Sequence, residues 1–120
     1  MNIPHDQRDQ LNKIQEGLIP GESIIAVYDA VGVGTGFLGL TDRRVVIQDN
    51  SFVGKKIAIT SIPYARISSV SILTNKSFAG RFFSSGHIAI STGHNTYEVE
   101  FRGDEKTQHV HNVILHYITQ

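Results

Sequence analysis

The chain reads as a mainly β domain closed by a C-terminal helix, with antiparallel strands in two packed sheets or a partly open barrel. Three observations predict this. Two β-rich runs, Leu40 to Asp49 and Ile57 to Tyr64, flank a polar connection, Asn50-Ser51-Phe52-Val53-Gly54-Lys55-Lys56, which carries turn and loop chemistry. From Thr96 to Arg102 the pattern alternates: Tyr97, Val99 and Phe101 fall on one face, Glu98, Glu100 and Arg102 on the other. Val110, Val113, Ile114, Tyr117 and Ile118 then sit at i, i+3, i+4, i+7 and i+8, a helical stripe that must lie on the sheet or on a partner.

Length and composition narrow the classes. At 120 residues one domain is expected, and 40% hydrophobic residues are enough for a real core. Lys plus Arg and Asp plus Glu number 11 each, so the zero net charge excludes a whole-domain basic field for nucleic acid and leaves only a local patch open. No cysteine is present, which excludes disulfides, thiol chemistry and thiolate metal sites and agrees with a reducing compartment. The segment Met1 to Gln10 lacks the apolar core of a signal peptide, and no apolar run approaches the ~18 residues of a membrane span. A cytoplasmic location is the expectation.

Taken in order, Pro4 to Gly17 predicts a short helix. Pro4 suits the first turn, Asp6 and Asp9 complement the positive helix end, Leu11, Ile14 and Leu18 form a narrow stripe, and Gly17 is the stop. Ile19-Pro20-Gly21-Glu22 is a turn and Ser23 to Ala30 a strand. Gly34, Gly36 and Gly39 match G-x-G-x-x-G, but Leu40 to Ile47 reads as strand, so no helix opens on the glycines to receive a dinucleotide or phosphate. Strand glycines of this kind mark a bulge, a bend or close backbone approach. Pro63 ends the second run because it cannot donate to a ladder. Ala65 to Leu73 and His87 to Thr92 are strands, with Ile88 and Ile90 sharing a face, and Gly93-His94-Asn95 is a hairpin turn. Gly103 breaks the last strand and Asp104 is placed to N-cap the closing helix.

Three segments resemble the bacterial pleckstrin-homology-like domains. Leu40-Thr41-Asp42-Arg43-Arg44-Val45-Val46-Ile47 is similar to the family's LTnkRlil strand. Gly54-Lys55-Lys56 followed by Ser61-Ile62-Pro63-Tyr64 is the second match, and Tyr97-Glu98-Val99-Glu100-Phe101 leading into the closing helix is the third. The resemblance divides the chain into an N-terminal helical segment, 1–18, and a PH-like domain, 19–120. It implies two near-orthogonal antiparallel sheets of about seven strands capped by a C-terminal α-helix. It also implies a non-enzymatic module, usually of unknown ligand, some relatives of which form homo-oligomeric rings. One departure stands out. Phosphoinositide-binding PH domains crowd Lys and Arg around the first hairpin loop, whereas Asp29 to Gly36 holds no basic residue, so charge-assisted phosphate donors are missing there.

Chemistry is sparse. Of six histidines, His109 and His111 point to different sides of a helix, His109 and His116 lie two turns apart, and none pairs with an acid at ligand spacing, so no metal or other cofactor is expected. No serine sits in G-x-S-x-G and most acids occupy turns or outward strand positions, so no catalytic residue is assigned. Two contact candidates remain. Lys55 and Lys56 are either a solvated turn or an attractor for an anionic head group or acidic partner. Lys76, Phe78, Arg81, Phe82 and Phe83 lie between strands, where the rings are either core or a contact patch for a partner, a second copy or a bilayer. The expected function is therefore a non-catalytic module for protein–protein contact or homo-oligomerisation, with a peripheral, anionic-lipid-binding module as the alternative.

Overall fold

A computed structural model of the chain describes residues 2–31, 36–50, 57–73 and 85–120. Helix α1 (Arg8–Glu16) precedes strands β1 (Ile24–Val31), β2 (Phe37–Thr41), β3 (Arg44–Asp49) and β4 (Ala58–Pro63). A 3-10 turn (Tyr64–Arg66) leads to β5 (Ile67–Leu73), β6 (Ser85–Thr92), β7 (Thr96–Arg102) and helix α2 (Asp104–Ile118). Among the described residues the seven strands pair antiparallel, in the order β4-β3-β2-β1-β7-β6-β5. Among the described residues, the four-stranded half, β1 to β4, pairs with the three-stranded half, β5 to β7, where Ala30 faces Phe101 and Val31 faces Glu100.

The alternation sorts side chains onto two faces. Tyr28, Leu38, Leu40, Val45, Ile47 and Ile62 of the first half face Ile88, Ile90, Val99 and Phe101 of the second, and Val110 and Ile114 of α2 complete this core. Phe101, Val110 and Ile114 are fully buried, as the sequence spacing predicts, and Val113, Tyr117 and Ile118 pack at the margin. On the other face of the first half, Leu11 and Ile14 of α1 pack on Val27, Phe37 and Val46. Burying each of these side chains stabilises the fold by roughly 1.5–3 kcal/mol.

Three local expectations need correction. Helix α1 begins at Arg8, not at Pro4. The residues before it form an arm beside β1: Val27 N–H donates to the Pro4 carbonyl at 3.0 Å, Asp6 N–H to the Val27 carbonyl at 3.2 Å, and Asp29 N–H to the Asp6 carboxylate at 2.9 Å. Among the described residues β7 pairs with this edge of β1 at Ala30 and Val31, and the arm bonds backbone groups at Val27 and Asp29 along the rest of it. Leu40 to Ile47 is two strands rather than one, because the chain reverses at Asp42 and Arg43. Asp104 opens α2 as its first residue; the cap position is Gly103, whose φ of 109° is a conformation that side chains disfavour.

Candidate interaction surfaces

An ion pair between a buried carboxylate and a partly exposed guanidinium sets the geometry beneath the outer face. Glu22, from the turn before β1, has a side chain with 0% exposure. Its carboxylate accepts from Arg44 Nε at 2.8 Å and Nη2 at 2.9 Å, from the Thr41 hydroxyl at 2.6 Å and from Ile19 N–H at 3.0 Å. The same guanidinium donates to the Gly17 carbonyl at 2.8 Å and to Ser61 Oγ at 2.9 Å. Arg44 thus pins the end of α1, the turn before β1, the β2–β3 reversal and β4 to one point. Its hydrogen bonds hold the Glu22 carboxyl down at about 2, from an ordinary 4.5, against the opposing pull of burial. Tyr64 carries the linkage to α2: its hydroxyl donates to the Thr41 carbonyl at 2.7 Å and its ring stacks on Tyr117 at 4.6 Å. Burial is the main cause that raises its phenol above the ordinary value.

Beside this pin a groove of about 260 Å³ runs between α1 and β4. Ile14, Phe37, Val46 and Ile59 make its apolar walls, Lys13 and Glu16 stand on the helix side, and Arg44 and Ser61 supply polar groups. α1 is too short to roof the whole outer face. Ile57 and Ile59 are consequently 53% and 54% exposed. Ile59 lies on β4, the outermost strand of the first half, and Ile57 directly precedes it; among the described residues β4 pairs only with β3. An edge strand with unpaired backbone groups and exposed apolar side chains is a template for another chain.

The sequence-based contact candidates, Lys55, Lys56, Lys76, Phe78, Arg81, Phe82 and Phe83, lie outside the described residues, as does Gly34 of the glycine pattern. Gly36 and Gly39 behave as close-approach glycines. A Cβ at Gly36 would sit 1.8 Å from the Gln48 carbonyl oxygen, and one at Gly39 would sit 2.8 Å from Ile14 Cδ1. Strand β2 follows, so no helix N-terminus opens on them.

Among the described residues, five of the six histidines have ring partners, and His94 is the exception. His109 Nδ1 lies 2.7 Å from the Tyr28 hydroxyl, His87 Nε2 lies 3.4 Å from Glu100, and His5 Nδ1 lies 2.6 Å from the Ile3 carbonyl. Among the described residues no three His, Cys, Asp or Glu side chains converge as a metal site would require, and no helix is long and apolar enough to cross a membrane. Ile57 and Ile59 escaped notice in the sequence, although the run Ile57-Ala58-Ile59-Thr60-Ser61-Ile62 carries a signal. It places apolar residues on both faces, and only one face can serve the internal core.

Seven antiparallel strands in two joined halves, with a C-terminal helix packed on the core, define a PH-like domain. Two crystal structures share the fold. A pleckstrin homology domain from Shewanella amazonensis SB2B superposes with a TM-score of 0.70 at 19% identity, covering 96% of this chain and 100% of that one. A DUF1696 family protein with a pleckstrin-homology domain from Shewanella loihica PV-4 gives 0.63 at 15% identity, covering 94% of each. Among curated proteins none matches. The bacterial PH domain model matches residues 2–118, and the chain belongs to that family.

Proposed function

We propose that this bacterial PH domain is a non-catalytic interaction module that associates first with copies of itself. The observation that carries the reading is the β4 edge, with Ile59 exposed at the α1 groove and Ile57 exposed just before the strand. Association with another chain would take these two large apolar side chains out of water. The second proposed contact is the segment holding Phe78, Phe82 and Phe83, with Lys76 and Arg81 as its polar rim. It joins β5, the strand at the opposite end of the sheet order, to β6. Contacts between two different edges are heterologous, and heterologous contacts close into rings when the rotation allows.

Light scattering of the wild type against Ile57→Ser plus Ile59→Ser tests this reading. The wild type is expected to exceed the monomer mass and the variant to fall toward it while staying folded. The competing membrane reading rests on Lys55 and Lys56. Sedimentation with anionic vesicles that weakens with salt and disappears in Lys55→Gln plus Lys56→Gln, from a protein of monomer mass, would replace self-association with lipid binding.

A further inference from the structure

The geometry points to a phosphate-binding cleft on the flank of the domain, between the end of β4 and the β6–β7 hairpin, with Arg66 and His94 as its principal donors. The cleft has a volume of about 460 Å³, room for a phosphate with an organic substituent. Arg66, His94, Tyr97, Thr60 and Thr92 are among its lining residues, and no Asp or Glu is among them. Among the described residues, neither the Arg66 guanidinium nor the His94 ring has an ion-pair or hydrogen-bond partner. That contrasts with Arg44, which is fully engaged by Glu22, Ser61 and Gly17.

Both walls are fixed before any ligand arrives. Arg66 closes a 3-10 turn whose first residue, Tyr64, is anchored to Thr41 and stacked on Tyr117. The hairpin is held by Thr92 N–H donating to the Asn95 carbonyl at 2.8 Å and by Asn95 N–H donating to Thr92 Oγ1 at 3.1 Å. The Asn95 amide donates to the Tyr97 hydroxyl at 3.4 Å, which leaves the phenol hydrogen free to donate in turn. The cleft therefore offers a guanidinium fork, an imidazole N–H and hydroxyl donors with no counter-charge. A guanidinium fork matches an oxyanion bidentately. A phosphate monoester, with three non-ester oxygens, uses more of these donors than a carboxylate can. None of the cleft's lining residues belongs to the Asp29 to Gly36 segment, where basic residues are missing.

The test uses the full chain with inorganic phosphate and glycerol phosphate as soluble probes, read by calorimetry and phosphorus NMR line broadening. Vesicles of phosphatidylcholine with and without phosphatidic acid are the membrane-borne probe. Saturable binding of a soluble probe, weakened about tenfold by Arg66→Gln and also reduced by His94→Asn, supports the cleft with a soluble ester as its source. Binding seen only with phosphatidic acid vesicles, and lost in the same variants, supports it with a lipid head group as the source. Lys55→Gln plus Lys56→Gln should leave either signal within about twofold, and a thermal melt checks that each variant is folded. No binding of any probe, or binding that survives Arg66→Gln plus His94→Asn in a folded protein, overturns the proposal. So does binding that depends on Lys55 and Lys56 instead.

Discussion

The two helices of this domain do unequal jobs. α2 (Asp104–Ile118) lies on the central core, and Val110 and Ile114 are buried to 0% exposure. α1 (Arg8–Glu16) buries only Leu11 and Ile14 on the other face of the first half of the sheet, leaving a groove at its side and Ile59 beyond it. The wide apolar stripe of α2 completes the central core, and Leu115 is the large apolar side chain it leaves exposed. The narrow stripe of α1 covers part of a face and leaves Ile59 exposed beside the groove. In this fold the α1 side is held by a polar pin, Glu22 with Arg44, where the α2 side is held by hydrocarbon.

The sharpest way to break the α1 side is to remove one member of that pin. Arg44→Ala leaves the Glu22 carboxylate buried without its main donor, and we expect a loss of about 3–5 kcal/mol in urea unfolding. Glu22→Gln with Arg44→Met should recover part of it, since both charges then leave together. On the α2 side, Ile114→Ala is expected to lose about 2–5 kcal/mol, with Ile14→Ala at the low end of that range because its site adjoins an open groove. Equal losses at the two positions would remove the distinction drawn between the helices.

The pin also predicts a pH dependence. A Glu22 carboxyl held at about 2 in the folded state, against 4.5 ordinarily, favours the fold by an amount fully present above pH 4.5. That amount is lost as pH falls toward 2 and is on the order of 3 kcal/mol. In Glu22→Gln plus Arg44→Met the acid limb of the stability curve should flatten by that amount. The smallest effect on stability is expected at the uncovered strand: Ile59→Ser should change the unfolding free energy by no more than about 0.5 kcal/mol, since the side chain already meets water.

Those parts of the fold governed by local spacing were legible in the sequence. The alternation at Val99 and Phe101 and the stripe at Val110 and Ile114 correspond to buried positions, because strand and helix periods act within a few residues. What escaped was long-range. Pro4 resembles a helix start, yet it serves β1, whose spare edge is visible only when the whole sheet order is known. Glu22 and Arg44 stand 22 residues apart, a separation without a periodic signature. Thr41 and Asp42 do carry the bend that splits Leu40 to Ile47, but the β-branched run after them masks it. Gly36 illustrates a position legible in kind but not in severity. Close approach was the expected use of the glycine, and a Cβ 1.8 Å from the Gln48 carbonyl oxygen means that Gly36→Val should damage the fold itself. Nucleotide binding is therefore better tested on the wild type, where we expect none.

We propose that the face left open by α1 joins one copy of the domain to another. Sedimentation equilibrium of the wild type beside Ile57→Ser plus Ile59→Ser measures it directly. We expect the wild type to run at a multiple of its 13.3 kDa chain mass and the folded variant to approach that single mass. A wild type that stays at one chain mass at high concentration, or an assembly that the double substitution leaves intact, would contradict it.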